Sequence, residues 1–147
     1  MDVKIIVATH KYYKMPQDKI YMPMQAGREI SGTKLVDYAG DNTGDNISAK
    51  NKNYCELTCL YWAWKNLQAD YIGLSHYRRH FAMNSKKDKW QRIANGEYIE
   101  KLFEEYDVIL PKNRNYFIET TYQQYIHAHN KQDLDKTEEI LKKYYPQ

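Results

Sequence analysis

The run Val3-Lys4-Ile5-Ile6-Val7-Ala8 limits what this chain can become more than any other stretch. β-Branched side chains broken by one lysine read as a strand covered on both faces, and such strands belong to parallel sheets with helices on either side. A second apolar segment, Tyr71-Ile72-Gly73-Leu74-Ser75, follows a helical stretch. Strand, long connection, helix and strand outline a right-handed parallel crossover. The expected class is α/β, a mostly parallel sheet flanked by helices.

Between the two segments, residues 11–47 show no clean period and are punctuated by proline and glycine, so they read as one long loop. A loop of that length in a compact domain is usually functional. From Ser48 a helical pattern sets in, with Tyr54, Leu57, Leu60, Tyr61, Trp64 and Leu67 recurring at three and four. Asn53 and Glu56 have the spacing of a capping box. Cys55, Cys59 and Trp62 extend the apolar character nearly all round, which predicts a covered, central helix. Tyr98, Leu102 and Phe103 suggest a short helix, Tyr106 to Leu110 a third strand stopped by Pro111, and Thr121–His129 and Asp133–Tyr145 two further helices. A sheet of three strands is thin, and no strand follows the last helix. Residues 1–147 are therefore expected to be one domain whose C-terminal part is missing.

Charge narrows the partners. Lys and Arg number 22 against 19 Asp and Glu, a net +3, too small for a protein that lives on phosphate backbones. The 15 tyrosines give a core with a polar rim, suited to a wet cleft. No apolar run approaches the roughly 20 residues of a membrane span, and nothing resembles a secretory leader. Cys55 and Cys59 sit four apart in one helical pattern, which excludes a disulfide framework and makes the cytoplasm the default compartment.

In open parallel sheets, ligands bind outside the carboxyl ends of the strands. Thr9-His10 and His76-Tyr77-Arg78-Arg79 both fall there. Two guanidiniums beside an imidazole and a phenol can pair with a diphosphate; the same pair also fits one structural ion pair and one solvated arginine. The stretch Asp41-Asn42-Thr43-Gly44-Asp45-Asn46 can orient sugar hydroxyls or supply a base, and equally fits ordinary turn chemistry. Glu56 can reach the cleft from the first helical turn, but as a capping residue it needs no further role. Metal signals are weak: Asp133-Leu134-Asp135 is explained by the helix dipole, and no Cys/His quartet exists. The nucleophile-elbow, P-loop and dinucleotide motifs are absent.

Taken together, Val3 to His10, Asp41 to Ser48, Asn51, Tyr54-Cys55-Glu56-Leu57-Thr58, Tyr61-Trp62-Ala63-Trp64-Lys65-Asn66 and Tyr71 to Arg79 resemble one bacterial domain family. That family is catalogued as of unknown function and found in glycosyltransferases of capsular and exopolysaccharide gene clusters. The likeness runs at least to Pro111, and such proteins continue well past residue 147. It implies a GT-A-like fold and transfer of a sugar from a nucleotide-sugar donor, a UDP-sugar, to a growing capsular or exopolysaccharide repeat unit. The acceptor would be a glycan or lipid-linked glycan at the inner face of the membrane, with at most peripheral membrane contact and no nucleic acid.

On that reading Thr9 and His10 line the nucleoside pocket. His76, Tyr77, Arg78 and Arg79 bind the diphosphate, Asn42 and Asn46 hold the sugar or a wall of the cleft, and Asp41 or Asp45 deprotonates the acceptor. Many GT-A enzymes carry an acidic pair for Mg²⁺ or Mn²⁺ where this chain has His76-Tyr77-Arg78-Arg79, so a divalent metal is not favoured. The alternative is a non-catalytic nucleotide- or carbohydrate-binding module.

Overall fold

Four parallel strands, β1 (Val3–Thr9), β2 (Tyr21–Gln25), β3 (Ala39–Gly40) and β4 (Tyr71–His76), form a sheet in the order β3-β2-β1-β4. They lie in the first of two compact units, Met1–Ile109 and Leu110–Gln147, of a computed structural model that describes residues 1–84, 88–113 and 115–146. β1 is the central strand, as its apolar run predicts. Val3, Ile5 and Val7 face one layer with Ile20, Tyr21, Tyr77 and Ile99, while Ile6 and Ala8 face another with Met24, Cys59 and Ala63. Each fully buried aliphatic side chain of this kind contributes roughly 1.5–3 kcal/mol.

Two strands stand where the sequence reads as loop. β2 carries Pro23, which lacks a donor. Gln25 presents its carbonyl outward to the Asp41 amide at 3.3 Å, and by the two-residue alternation Pro23 faces the same side. β3 begins only at Ala39, opposite Met24, so Pro23 interrupts no ladder bond. The expected strand at Tyr106–Leu110 is not one: Tyr106, Val108 and Leu110 are exposed, and Ile109 packs against the core. β4 is an edge strand with Ile72 at its surface, not the fully buried strand its composition suggests.

The helical stretch is broken. A 3-10 turn at Ser48–Lys50 leads into α1 (Asn51–Tyr54), and α2 (Leu57–Asn66) starts afresh after Cys55, whose φ of 47° is rare for a side-chain-bearing residue. α2 buries Thr58, Cys59 and Ala63, while Leu57, Leu60 and Trp64 lie exposed on the opposite face, so the helix is covered on one side only. The spacing of Asn53 and Glu56 makes no capping box: Glu56 is itself the N-cap of α2, and its side chain caps nothing.

α3 (Gly96–Phe103) is capped by Asn95 and lays Ile99 on the sheet, with Phe103 stacked on Tyr71 at 3.6 Å. The second unit holds α4 (Thr121–Ala128), with a Thr120/Gln123 capping box, and α5 (Lys131–Tyr144), capped by Asn130. Within that unit Asp135 pairs with Lys131 and accepts from the Tyr122 hydroxyl. Among the described residues no helix is long and apolar enough to cross a membrane.

Candidate functional site

β1 connects to β2 on one side of the sheet, whereas the chain leaving β3 returns through α2 to β4 on the other. The carboxyl ends of β1 and β4 therefore flank the topological switch point, where open α/β sheets leave a crevice. Its first lobe is lined by Ala8, Thr9, His10, Ala26, Asn51, Cys55, Glu56 and His76. A second, more open lobe is lined by Glu56, Leu74, Ser75, His76, Arg78 and Arg79. Glu56 and His76 are common to both.

His76 ends β4, and its Nδ1 accepts the Arg78 backbone N–H at 3.2 Å. That bond assigns the proton of the neutral ring to Nε2, which stands 3.7 Å from Glu56 Oε1. Desolvation holds His76 below the ordinary histidine range; the charges of Arg78, Arg79 and His10 push the same way, and Glu56 opposes them. Arg78 and Arg79 are exposed, and among the described residues neither guanidinium is paired with a carboxylate. Among the described residues, the structural ion pair that the sequence leaves open is not made.

Tyr77 is 2% exposed. Its ring meets His10 at 5.3 Å, Tyr13 at 5.0 Å and His76 at 4.2 Å, and the Arg78 guanidinium lies 5.2 Å from its centre. Tyr77 thus lines neither lobe but packs in the core behind the strand ends, its ring against His10 and His76. Thr9 is buried and its hydroxyl donates to the Lys11 carbonyl at 2.7 Å, fixing the turn that presents the exposed His10. Behind Tyr77, His80 sits edge-on to Tyr21 at 6.2 Å and tilted to Trp90 at 5.9 Å, and burial lowers its pKa.

The acidic loop folds elsewhere. Asp41 is fully buried, and its carboxylate accepts from the Gly27 and Arg28 amides at 2.7 and 3.0 Å and from the Ser48 and Thr58 hydroxyls at 2.5 Å each. That geometry leaves no oxygen of Asp41 open to a substrate, whereas a base must touch the hydroxyl it deprotonates. Gly27 is required there: its φ is +64°, and a Cβ would lie 2.6 Å from the Asn51 side chain. Asp45 accepts from the Tyr61 hydroxyl at 3.0 Å, and Asn66 brackets its backbone. Asn42 donates to Glu29, and Asn46 closes a local turn through Gly44 and Ser48. None of Asp41, Asn42, Asp45 and Asn46 lines the crevice. Asn51, Cys55 and Glu56 line it instead. The sequence signal for them is a carboxylate at a helix start beside a broken helical period.

The donor set does not fit the divalent metal of the GT-A pattern. Glu56 is the single carboxylate of the crevice, beside two guanidiniums, and the described residues contain no group of three ligating side chains.

Comparison with known proteins agrees with the fold. The family described as "Domain of unknown function (DUF4422)" matches residues 4–147. No match is found among curated proteins. Among solved structures the chain is similar to that of the WbbM bifunctional glycosyltransferase in its apo form, at 33% identity and a TM-score of 0.83. The likeness covers 99% of this chain and 30% of that one, so the chain spans about a third of the relative's length. The α/β, mostly parallel sheet is GT-A-like.

Proposed function

The chain belongs to the DUF4422 family, and from that premise we propose that it is a nucleotide-sugar-dependent glycosyltransferase domain. The observation that carries the reading is the pair Arg78 and Arg79, unpaired among the described residues, at the switch-point end of β4. When the bond from the anomeric carbon to the diphosphate breaks, negative charge gathers on the departing phosphate oxygen. Guanidiniums already aimed there stabilise it without reorganisation, an effect worth a few kcal/mol per well-placed donor. Likeness to a solved glycosyltransferase supports the same reaction class.

In this proposal Arg78 and Arg79 hold the diphosphate. His10 and Thr9 line the nucleoside end in the first lobe, His76 stands between the lobes, and Tyr77 backs both imidazoles. Asp41 anchors the wall from beneath, while Asn42, Asp45 and Asn46 fasten the loop that forms its outer side. The donor is a UDP-sugar, and the acceptor is a glycan or lipid-linked glycan of a capsular or exopolysaccharide repeat unit, met at the cytoplasmic face of the membrane. The test is a panel of nucleotide sugars scored by thermal shift and by release of nucleoside diphosphate. Stabilisation together with release supports the enzyme; stabilisation without release under any acceptor favours a non-catalytic binding module.

A further inference from the structure

We propose that Glu56 is the catalytic base of this site, accepting the proton of the attacking hydroxyl; the assignment rests on the transferase reading above. Four observations lead to it. Glu56 is the one carboxylate that lines the crevice, and it lines both lobes. It occupies the N-cap of α2, yet its side chain makes no capping bond, so the helix does not use the group that its position offers. Cys55, at φ 47° and ψ −129°, turns the chain between α1 and α2 and sets Glu56 at the mouth of the crevice. Backbone strain of this kind gathers at functional sites.

The fourth observation is the partner. Glu56 Oε1 stands 3.7 Å from His76 Nε2, beyond an ordinary hydrogen bond, and the carboxylate side chain remains 44% exposed. The ring stands beside the carboxylate without filling its acceptor capacity, so a hydroxyl arriving in the crevice finds an oxygen open. Asp41 is sealed, and Asp45, though exposed, lines neither lobe.

The step balances. The acceptor O–H gives its proton to Glu56, and the acceptor oxygen forms a bond to the anomeric carbon. The bond from that carbon to the diphosphate oxygen breaks, and its electron pair leaves with the diphosphate beside Arg78 and Arg79. With water as acceptor the same step is donor hydrolysis, which provides an assay that needs no natural acceptor.

The experiment compares the wild-type chain with E56Q and E56A. UDP release is followed from UDP-glucose, UDP-galactose and UDP-N-acetylglucosamine, and UDP binding is measured by calorimetry. The expected result for E56Q is UDP affinity within threefold of wild type and a kcat lower by about 10²–10⁴-fold. The acid limb of the pH–rate profile should vanish with it, and formate should restore turnover to E56A. A kcat within threefold of wild type, or a raised KM at unchanged kcat, overturns the assignment while leaving the transferase reading intact. Failure of the wild-type chain to bind UDP and to release it from any of these donors overturns both.

Discussion

The Nε2 of His76 faces the carboxylate of Glu56 across 3.7 Å, while Arg78 and Arg79 act on the same ring from the cationic lobe. A neutral imidazole thus separates the one acid of the crevice from its two strongest cations, and neither sign of charge is cancelled. Had Glu56 paired with an arginine, the lobe would hold one uncommitted guanidinium for a diphosphate instead of two.

Arg78→Ala and Arg79→Ala should each weaken UDP binding far more than uridine binding. A charge-assisted contact to phosphate contributes roughly 1.5–3 kcal/mol, about ten- to a hundredfold in affinity. Paired calorimetric titrations decide it, and equal losses for the two ligands would give the arginine a structural role.

Nucleotide binding should survive chelation. A dication beside two guanidiniums is repelled, since even unit like charges about 4 Å apart cost on the order of 4 kcal/mol at an effective dielectric of 20. One carboxylate does not readily offset that. UDP titrations with EDTA and then with Mn²⁺ should differ by less than tenfold; collapse on chelation with recovery in Mn²⁺ would sink the expectation.

Asp41→Asn should destabilise the first unit. The amide keeps one acceptor oxygen and turns a donor group toward a backbone N–H, so at least one of four bonds fails, at roughly 1–3 kcal/mol. Asp45→Asn, at an exposed contact, should cost less than about 0.5 kcal/mol. Urea unfolding of the two variants measures the contrast, and equal midpoints would refute it.

His80 should make stability fall in acid. Among the described residues neither ring nitrogen meets a hydrogen-bond partner in full geometry, and burial, opposed by the nearby Tyr77 backbone, lowers its pKa from the ordinary 6.5. The unfolded chain therefore binds the proton more readily, so this contribution is complete above the ordinary pKa and is lost as pH falls below it. His80→Phe should flatten the melting temperature between about pH 7 and pH 5 and leave it undiminished at neutral pH. His76 shares the direction of shift, so a residual slope remains. A variant slope parallel to wild type would count against the argument.

The parts of the fold written as dense local patterns were legible. β1 declares itself by covered faces, β4 by a short apolar run, and α3, α4 and α5 by their helical patterns. β2 was hidden by Pro23, whose cost depends on which side of the strand has a neighbour, and β3 is two residues long, too short for any pattern. The cationic end of β4 was visible because side-chain chemistry and strand end coincide there. Asp41 was misleading because a fully engaged carboxylate and a free one are written with the same letter. Only burial and donor count separate them. Glu56 has the sequence position of a cap, and only the missing capping bond releases it for another role.

The four donors around Asp41 come from positions 27, 28, 48 and 58. Releasing any one of them exposes a charge to a dry interior, so the connection from the end of β2 to the start of α2 opens as one cooperative unit or not at all. The Gly27 and Arg28 amides should then exchange their hydrogens at one common, slow rate. A wall with no partial opening cannot serve as a lid. In the proposed reaction, admission of substrate and escape of product fall instead to the exposed side chains of Arg78 and Arg79, since exposed rotamers turn over in picoseconds to nanoseconds.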